Sequence, residues 1–437
     1  MDPAVAKLQA LVRIPTVSRR PPQEPDRDAF ERFLAELGRQ FPLVHERLEV
    51  TRVGGHGLLM RWAGAGDRRP VVLMAHLDVV PAEQAGWTLP PFGGDIADGA
   101  IWGRGTLDDK GSLVAICEAV ERLLEQGFTP ARDVWLSFGC DEEVTGASAR
   151  AAVATLRERG VRPWFVLDEG GAIAHEAFPG FTAPLGVVGV SEKGSTTLEL
   201  VATGTGGHSS VPVRGGPTAR LASAITRLDR ASMAARLPEP TLELFTRLAP
   251  HAPAPLRAVL GRARSLTPAL IRILPRLGAE AAALTRTTFA VTTLKGSEAH
   301  NVLADTARAG VNARIMPGDT VASVTDFVRR TVGSGVEVHV VDASEPSPVS
   351  PTDEAFELVE AAIGEVFPDA IPTPYVVMAA TDARFFTTIC DRVYRFTPFR
   401  MSRDQRVAIH GADEHLMLSD LLDGVRWYEL LLRRLPR

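Results

Sequence analysis

The stretch VVLMAHLD at 71–78 constrains the fold more than any other part of the sequence. The five apolar residues from Val71 to Ala75 follow a turn-like segment, and this pattern predicts a buried strand of a parallel sheet. The first polar side chains after the run are His76 and Asp78, which lie on one side of an extended chain because side chains alternate with period two. Ligands of open α/β sheets bind at the carboxyl ends of the strands. The stretch therefore predicts either a solvated strand end or an imidazole and a carboxylate at a ligand site.

Two further predicted strands, 134–138 and 164–167, also end in acidic residues. These residues and those of the loop at 103–111 are Asp108, Asp109, Asp141, Glu142, Glu143, Asp168 and Glu169. Carboxylates combined with histidine suit a pair of zinc ions, which need one bridging carboxylate and together activate a water and polarise a carbonyl. In the adjacent pair Glu142-Glu143, one side chain can bind a metal while its neighbour acts as general base. Two solvated acids at a strand end are the alternative.

The periodicity of the flanking segments predicts the fold class. Strands alternate with helices: helical spacing occurs at 2–13, 27–40, 112–126 and 148–159, and strand patterns occur at 43–53, 58–62, 71–75, 134–138 and 164–167. This alternation predicts an α/β fold with a mostly parallel sheet and helices on both faces.

The pattern changes near Ser191 and returns after about residue 343. The intervening part contains predicted strands at 195–203, 288–294, 305–314 and 335–341, helices at 216–231 and 320–332, and a proline-punctuated helical stretch at 238–287. Helices resume at 353–366 and 416–434. We therefore expect a discontinuous catalytic domain, 1–190 and 343–437, with an inserted α+β domain at 191–342.

Composition excludes several classes of protein. A chain of 437 residues is too long for a single core, so at least two domains are expected. The net charge is −5 without a long run of one sign, which argues against nucleic acid or an anionic membrane as the main partner. The three cysteines are widely spaced, and neither a signal-like start nor a membrane-length apolar run occurs. We expect a cytoplasmic protein without a membrane span.

Six motifs in a fixed order resemble the two-zinc exopeptidases and deacylases that include aminoacylase and yeast carboxypeptidase S. They are AHLDVVP at 75–81, GRGTLDDKG at 103–111, DEE at 141–143, LDEGG at 167–171, GHSS at 207–210 and IHG at 409–411. The segments VSEKGS, TDARFF and YRFTP are most similar to the branch of carboxypeptidase S and the N-acyl amino acid hydrolases. The resemblance implies a zinc-exopeptidase-like catalytic domain with an inserted lid and dimerisation domain.

The resemblance also implies two zinc ions per chain, for which cobalt or manganese can substitute. The implied ligands are His76, Asp108, Glu143, His410 and one or both of Asp168 and Glu169. Asp108 bridges the ions and is followed by a cis peptide in many relatives. Glu142 is the general base, and Asp78 orients His76. His415 is a rival to His410, but a solvated histidine at a helix start is the alternative for that residue.

Four residues farther along the chain are implied to meet the substrate. His208 resembles a lid histidine that stabilises the oxyanion, and Arg314 resembles a guanidinium that pairs with a free α-carboxylate. Asn301 can donate a hydrogen bond to either group, and Thr381 lines the mouth of the site. A surface-loop histidine and a generic surface arginine are the alternatives for His208 and Arg314.

Taken together, the motifs predict a zinc amidohydrolase that cleaves the bond next to a free carboxylate. N-acyl amino acids are favoured as substrates, and small peptides are the alternative. An inactive binding relative is disfavoured because every expected position is filled, and a phosphatase is disfavoured because no phosphate-binding glycine loop opens a helix. The apolar positions of 238–287 predict either a cover for the inserted sheet or a groove for a long acyl chain. A homodimer in which His208 acts on the partner's site is also expected.

Overall fold

The structure, a computed structural model, describes residues 2–20, 23–178 and 181–437. Its strands are β1 (Glu49–Val53), β2 (Gly57–Trp62), β3 (Val71–His76), β4 (Asp95–Ala97), β5 (Ala100–Trp102), β6 (Val134–Gly139), β7 (Phe165–Asp168), β8 (Ala172–Ala174), β9 (Leu185–Glu192), β10 (Gly194–Thr203), β11 (Gly207–His208), β12 (Thr288–Lys295), β13 (Val302–Leu303), β14 (Thr306–Ile315), β15 (Glu337–Ser344), β16 (Ile371–Val377), β17 (Val393–Arg395), β18 (Arg400–Met401) and β19 (His415–Met417). Its helices are α1 (Pro3–Val12), α2 (Arg27–Gln40), α3 (Pro42–Arg47), α4 (Lys110–Glu125), α5 (Ala147–Glu158), α6 (Pro217–Arg230), α7 (Glu239–Leu248), α8 (Ala254–Leu260), α9 (Ala263–Ile273), α10 (Ala279–Ala283), α11 (Val321–Val332), α12 (Glu354–Val366), α13 (Ala383–Phe386), α14 (Arg403–Ala408) and α15 (Leu418–Arg433), with short 3₁₀ turns at Ala249–His251 and Leu274–Arg276.

A large mixed sheet forms the centre of the molecule, in the order β1-β2-β6-β3-β7-β17-β9-β8-β18, with β16 paired to β9. Its middle strands β6, β3, β7 and β17 run parallel. Side chains of β3 alternate between two apolar clusters: Val71, Leu73 and Ala75 enter one, and Val72 and Met74 enter the other. Both sheet faces are therefore covered, which confirms the predicted α/β class.

The segment 43–53 differs from the strand predicted for it. Its first part is the helix α3, and only Glu49–Val53 is a strand. Pro42 occupies the first helical turn, and the carboxylate of Glu121 accepts hydrogen bonds from the N–H groups of Leu43 at 3.0 Å and Val44 at 2.8 Å. The free N–H groups at the start of α3 are therefore bonded to a residue that is distant in sequence, and local periodicity cannot predict such a contact.

A second sheet, in the order β12-β14-β10-β15, is entirely antiparallel. Helices α6 and α11 contribute Leu221 and Val328 to an apolar cluster that also contains Leu198 of β10 and Val311 of β14. The strand that precedes this unit, β9, was not recognised in the sequence. It pairs in parallel with β16, which carries two prolines and lies off the main strand path, where a missing N–H donor is tolerated.

The helical stretch 238–287 does not cover the second sheet. Leu244 and Leu248 of α7 pack in a cluster with Leu185, and Val187 and Tyr375 of the large sheet pack against that cluster. The prediction of a cover for the inserted sheet was therefore wrong, because the buried apolar residues of this stretch pack on β9 and β16 of the large sheet. Val259, Ile273 and Leu277 of the same stretch are exposed, and the acyl groove stays a prediction. None of the described helices has both the length and the apolarity of a membrane span.

Candidate metal centre

Five side chains with metal-ligand chemistry converge in two groups at the carboxyl ends of the central strands. His76, Asp108 and Glu169 form one group, and Asp108, Glu143 and His410 form the other. The ligand atoms within each group all lie within 4.8 Å of one another. Asp108 belongs to both groups, with Oδ1 2.9 Å from Nε2 of His76 and Oδ2 3.0 Å from Nε2 of His410. This geometry is that of two cation sites sharing one bridging carboxylate.

The strand order explains why three of these residues meet. His76 ends β3, Glu143 follows β6 and Glu169 follows β7, and β3 pairs in parallel with both other strands. Asp108 lies two residues before α4, and its peptide bond to Asp109 is cis, as the family resemblance implied. His410 lies between α14 and β19 and has a left-handed backbone, with φ at 61°.

Asp78 holds two parts of the centre at once. The Asp78 carboxylate lies 3.4 Å from Nδ1 of His76, and the backbone carbonyl of Asp78 is closer to that nitrogen, at 2.9 Å. The same carboxylate accepts hydrogen bonds from the backbone N–H groups of Glu142 and Glu143, each at 3.2 Å. Asp78 thus fixes both the imidazole of His76 and the loop that carries the two glutamates, and the second contact was not anticipated from the sequence.

The charges of the cluster fit divalent cations. Burial raises the pKa of Glu169 well above its ordinary value, and the negative charges of Asp108 and Asp109 add to this effect. Hydrogen bonds to Asp108 and Glu143 raise the pKa of His410 to about 10. In the metal-free protein, bound protons therefore offset the clustered negative charge. Metal ions bound by the deprotonated ligands would replace those protons. Two carboxylates and one imidazole per group form a donor set that suits zinc.

Several neighbouring acids and a histidine lie outside the two groups. Asp168 accepts a hydrogen bond from the backbone N–H of Ala383 at 2.8 Å, so Glu169 is the better ligand of the adjacent pair. Asp109 accepts a hydrogen bond from the backbone N–H of His76 at 3.2 Å. The ring of His415 stacks on Trp102 with centroids 4.4 Å apart.

A cavity of about 500 Å³ opens beside the metal ligands. Its polar end includes Asp108, Glu142, Glu143, Glu169 and His410, and its walls are mainly apolar, with Ala172, Ala174, Ala177, Phe178, Val187, Val377, Met401 and Ile409. Of the residues of 238–287 that the structure describes, none lines the cavity, but Phe178 and Val187 also pack against the apolar cluster formed by that stretch.

Thr381 lines the same cavity and is buried. Its hydroxyl donates to Oε1 of Glu192 at 2.6 Å, and the same oxygen accepts a hydrogen bond from Nε of Arg395 at 2.5 Å. Glu192 and Arg395 are both fully or almost fully buried. The hydroxyl of Thr381 is therefore held by the protein, and its backbone and methyl group are the parts that remain for contact with a ligand.

The other three substrate residues implied by the resemblance lie elsewhere. His208 and Asn301 are exposed and close together, since Ser209 N–H donates to the carbonyl of Asn301 at 3.0 Å. Arg314 is exposed on β14, opposite Ser195 of β10. Among the residues that the structure describes, the walls of the cavity include none of these three.

A model of Peptidase family M20/M25/M40 matches residues 72–434. The chain belongs to this family. The match confirms the resemblance of the motifs and the assignment to the hydrolases. Human N-fatty-acyl-amino acid synthase/hydrolase PM20D1 is 36% identical over 435 residues, which cover 97% of this chain and 86% of the relative. Probable carboxypeptidase S-like 2 of Dictyostelium discoideum is 35% identical and covers 94% of this chain and 80% of the relative.

Solved structures agree on the fold. The M20 family metallo-carboxypeptidase Sso-CP2 from Sulfolobus solfataricus superposes with a TM-score of 0.73 at 18% sequence identity. The match covers 99% of this chain and 99% of that chain, so the likeness includes both sheets.

Proposed function

We propose that this protein is a two-zinc hydrolase that converts N-acyl amino acids into an amino acid and a carboxylic acid. The observation that carries the proposal is the pair of ligand groups sharing Asp108 at the polar end of an apolar cavity. A free amino acid and an acyl group differ strongly in polarity, and the site offers each a different environment.

Glu142 is the proposed general base. When bound, the two metal ions supply Lewis-acid chemistry, activating a water and polarising the substrate carbonyl. Glu142 lines the cavity, and burial raises its pKa well above the ordinary value, with the charges of Asp382 and Asp108 adding to the effect. A carboxylate of raised pKa is suited to accept the proton of the attacking water. The same carboxyl group then returns the proton to the leaving nitrogen as the C–N bond breaks.

The two ends of the substrate are proposed to meet different parts of the chain. The acyl group enters the cavity along Ala174, Phe178 and Val187. Arg314 pairs with the α-carboxylate, and the exposure of its side chain on β14 supports this role. His208 and Asn301 donate to the oxyanion. These three residues lie outside the cavity walls, so their action requires approach of the second sheet or of a partner subunit.

Long acyl groups are the favoured substrates. Each CH₂ group buried in the cavity would contribute about 0.8 kcal/mol, so affinity should rise with chain length. The name of the human relative includes N-fatty-acyl amino acids, and this supports the choice. Hydrolysis of small peptides is the second candidate, and the likeness to carboxypeptidase S proteins favours it.

We further propose a cytoplasmic homodimer in which His208 reaches the active site of the partner. The support is the exposed position of His208 on the short β11–β13 pair. Mixing a His208→Ala chain with a Glu142→Gln chain should restore part of the activity in verified mixed dimers. An absence of recovery in those dimers would place His208 in its own subunit's site or outside catalysis.

A substrate panel tests the function. The purified chain, loaded with zinc, is assayed on N-acetyl, N-octanoyl and N-oleoyl derivatives of one amino acid and on matched dipeptides, before and after chelation. The proposal predicts chelator-sensitive hydrolysis that is faster for the N-acyl compounds than for the dipeptides. Faster hydrolysis of the dipeptides would favour the second candidate, and activity unaffected by complete metal removal would contradict both.

A further inference from the structure

One buried carboxylate outside the ligand groups accepts hydrogen bonds from the backbone of the loop that carries the bridging ligand. Glu414 is fully buried. Its Oε1 accepts three backbone hydrogen bonds, from Gly105 at 3.1 Å, Leu107 at 2.8 Å and Asp108 at 3.1 Å. A carboxylate with three N–H donors on one oxygen fixes the path of the backbone that it contacts.

The other oxygen of Glu414 is paired with an arginine from the same loop. Arg104 is almost fully buried and donates from Nη1 to Oε2 of Glu414 at 2.6 Å. Its Nη2 donates to the carbonyl of Gly411 at 2.6 Å, one residue after His410. Arg104 thus connects the chain around Asp108 with the chain around His410.

Backbone pairing joins the same two segments a second time. Gly103 N–H donates to the carbonyl of Glu414 at 2.9 Å, and β19 pairs with β5 so that His415 lies opposite Trp102. The loop from 410 to 414 also holds two residues with positive φ, His410 and Asp413, a conformation that is unfavourable for a residue with a side chain. Contacts on both sides of this loop are needed to keep His410 in place.

We infer that the Glu414–Arg104 pair is a positioning device that holds the bridging Asp108 and His410 at the separation needed for two metal ions. The inference rests on the proposed two-metal function. Glu414 and Arg104 are not among the candidate metal ligands. The pair nevertheless contacts both loops that carry ligands, which a role in stability alone would not require. Removal of partners that orient metal ligands typically lowers metal affinity by about 10–100-fold.

Glu414→Gln tests the inference with little change of shape. The amide keeps one acceptor oxygen, so it can serve either the three backbone N–H groups or Arg104, but not both. We expect zinc affinity, measured by competition with a chromophoric chelator, to fall by about 10–100-fold. The absorption spectrum of the cobalt-loaded chain should change as well, and kcat should recover in part when metal is saturating.

The matched control is Glu118→Gln. Glu118 is also a buried carboxylate with two ion pairs, to Lys7 at 2.7 Å and Arg122 at 2.8 Å. It lies in α4, and both of these ion pairs within the described part of the chain are to residues outside the ligand loops. The control should lower the melting temperature of the metal-free chain while leaving zinc affinity and the cobalt spectrum unchanged. Equal effects of the two variants on zinc affinity would assign Glu414 a general structural role and overturn the inference.

Arg104→Lys keeps the test decisive if Glu414→Gln does not fold. Lysine retains a cation for Glu414 but cannot donate to Gly411 in the fork geometry of arginine. We expect the weaker of the two zinc affinities to fall at least several-fold, and unchanged affinities for both ions would overturn the inference. If the wild-type chain itself binds no metal, the proposed function fails. If it binds two ions and the folded variants bind them equally well, only this inference fails.

Discussion

The imidazole of His410 lies 3.0 Å from Oδ2 of Asp108, although these residues belong to distant parts of the chain. The other oxygen of Asp108 faces His76 at 2.9 Å. This relationship predicts that Asp108→Ala lowers binding of both metal ions, whereas His410→Ala spares the ion held by His76 and Glu169. Metal content per folded chain, measured by mass spectrometry after dialysis, checks the prediction. Two ions retained by Asp108→Ala would show that Asp108 does not bridge.

Glu142→Gln should preserve the fold and both metal ions but lower kcat by about 10²–10⁴-fold, because the amide cannot accept the proton of the attacking water. Steady-state kinetics together with metal content measure this. Glu143→Gln, in contrast, should reduce metal content, since Glu143 belongs to a ligand group. Near-normal kcat in Glu142→Gln, with a loss of turnover but not of metal in Glu143→Gln, would reverse the two roles.

Arg314→Ala should lower kcat/KM for free N-acyl amino acids far more than for their carboxamides. A charge-assisted hydrogen bond contributes about 1.5–3 kcal/mol, and the carboxamides cannot form the ion pair. Arg308→Ala is the matched control, because Arg308 is exposed on the same strand and pairs with Glu199 at 2.6 Å. Equal losses on both substrate types would remove Arg314 from substrate binding.

Ala177→Trp should shorten the acyl chain that the enzyme accepts, because Ala177 lines the apolar part of the cavity. Hydrolysis of the N-oleoyl substrate should fall at least tenfold relative to the N-acetyl substrate. Ala63→Trp, at an exposed position outside the cavity walls, is the control and should leave this ratio unchanged. A constant ratio in Ala177→Trp would place the acyl group elsewhere.

Asp420→Asn should stabilise the protein above neutral pH. Burial, together with the charge of Asp423, raises the pKa of Asp420 to about 7. The folded state therefore keeps a proton that the unfolded chain releases near pH 4, so wild-type stability falls as pH rises through this window. The variant has no carboxyl group at this position and does not lose stability in this way. Its free energy of unfolding relative to the wild type should therefore rise by up to about 1.4 kcal/mol per pH unit and level off above pH 7. Denaturant unfolding at pH 5 and pH 8 measures the difference, and an advantage that does not grow with pH would contradict the assignment.

Much of the catalytic sheet and the convergence of His76, Glu143 and Glu169 could be predicted from sequence, because buried parallel strands have a strong apolar pattern and their ends meet at one edge. Features that depend on contacts between residues far apart in the sequence could not be predicted in this way. The helix α3 starts on the carboxylate of Glu121, and Glu414 gains its role only through pairing with the loop around Asp108. In the segment HGADEH at 410–415, only the two histidines, His410 and His415, suggested a function from the sequence, and Glu414 between them did not.

Reconstitution of the metal-free chain tests the central claim most directly. The chain is stripped by chelation, zinc is added in steps, and hydrolysis of one N-acyl amino acid is measured alongside bound metal. The account predicts little activity without metal and full activity only when the second equivalent has bound, with Glu142→Gln binding both equivalents but remaining nearly inactive. Full activity with one equivalent, or in the stripped chain, would contradict the two-metal site built around Asp108.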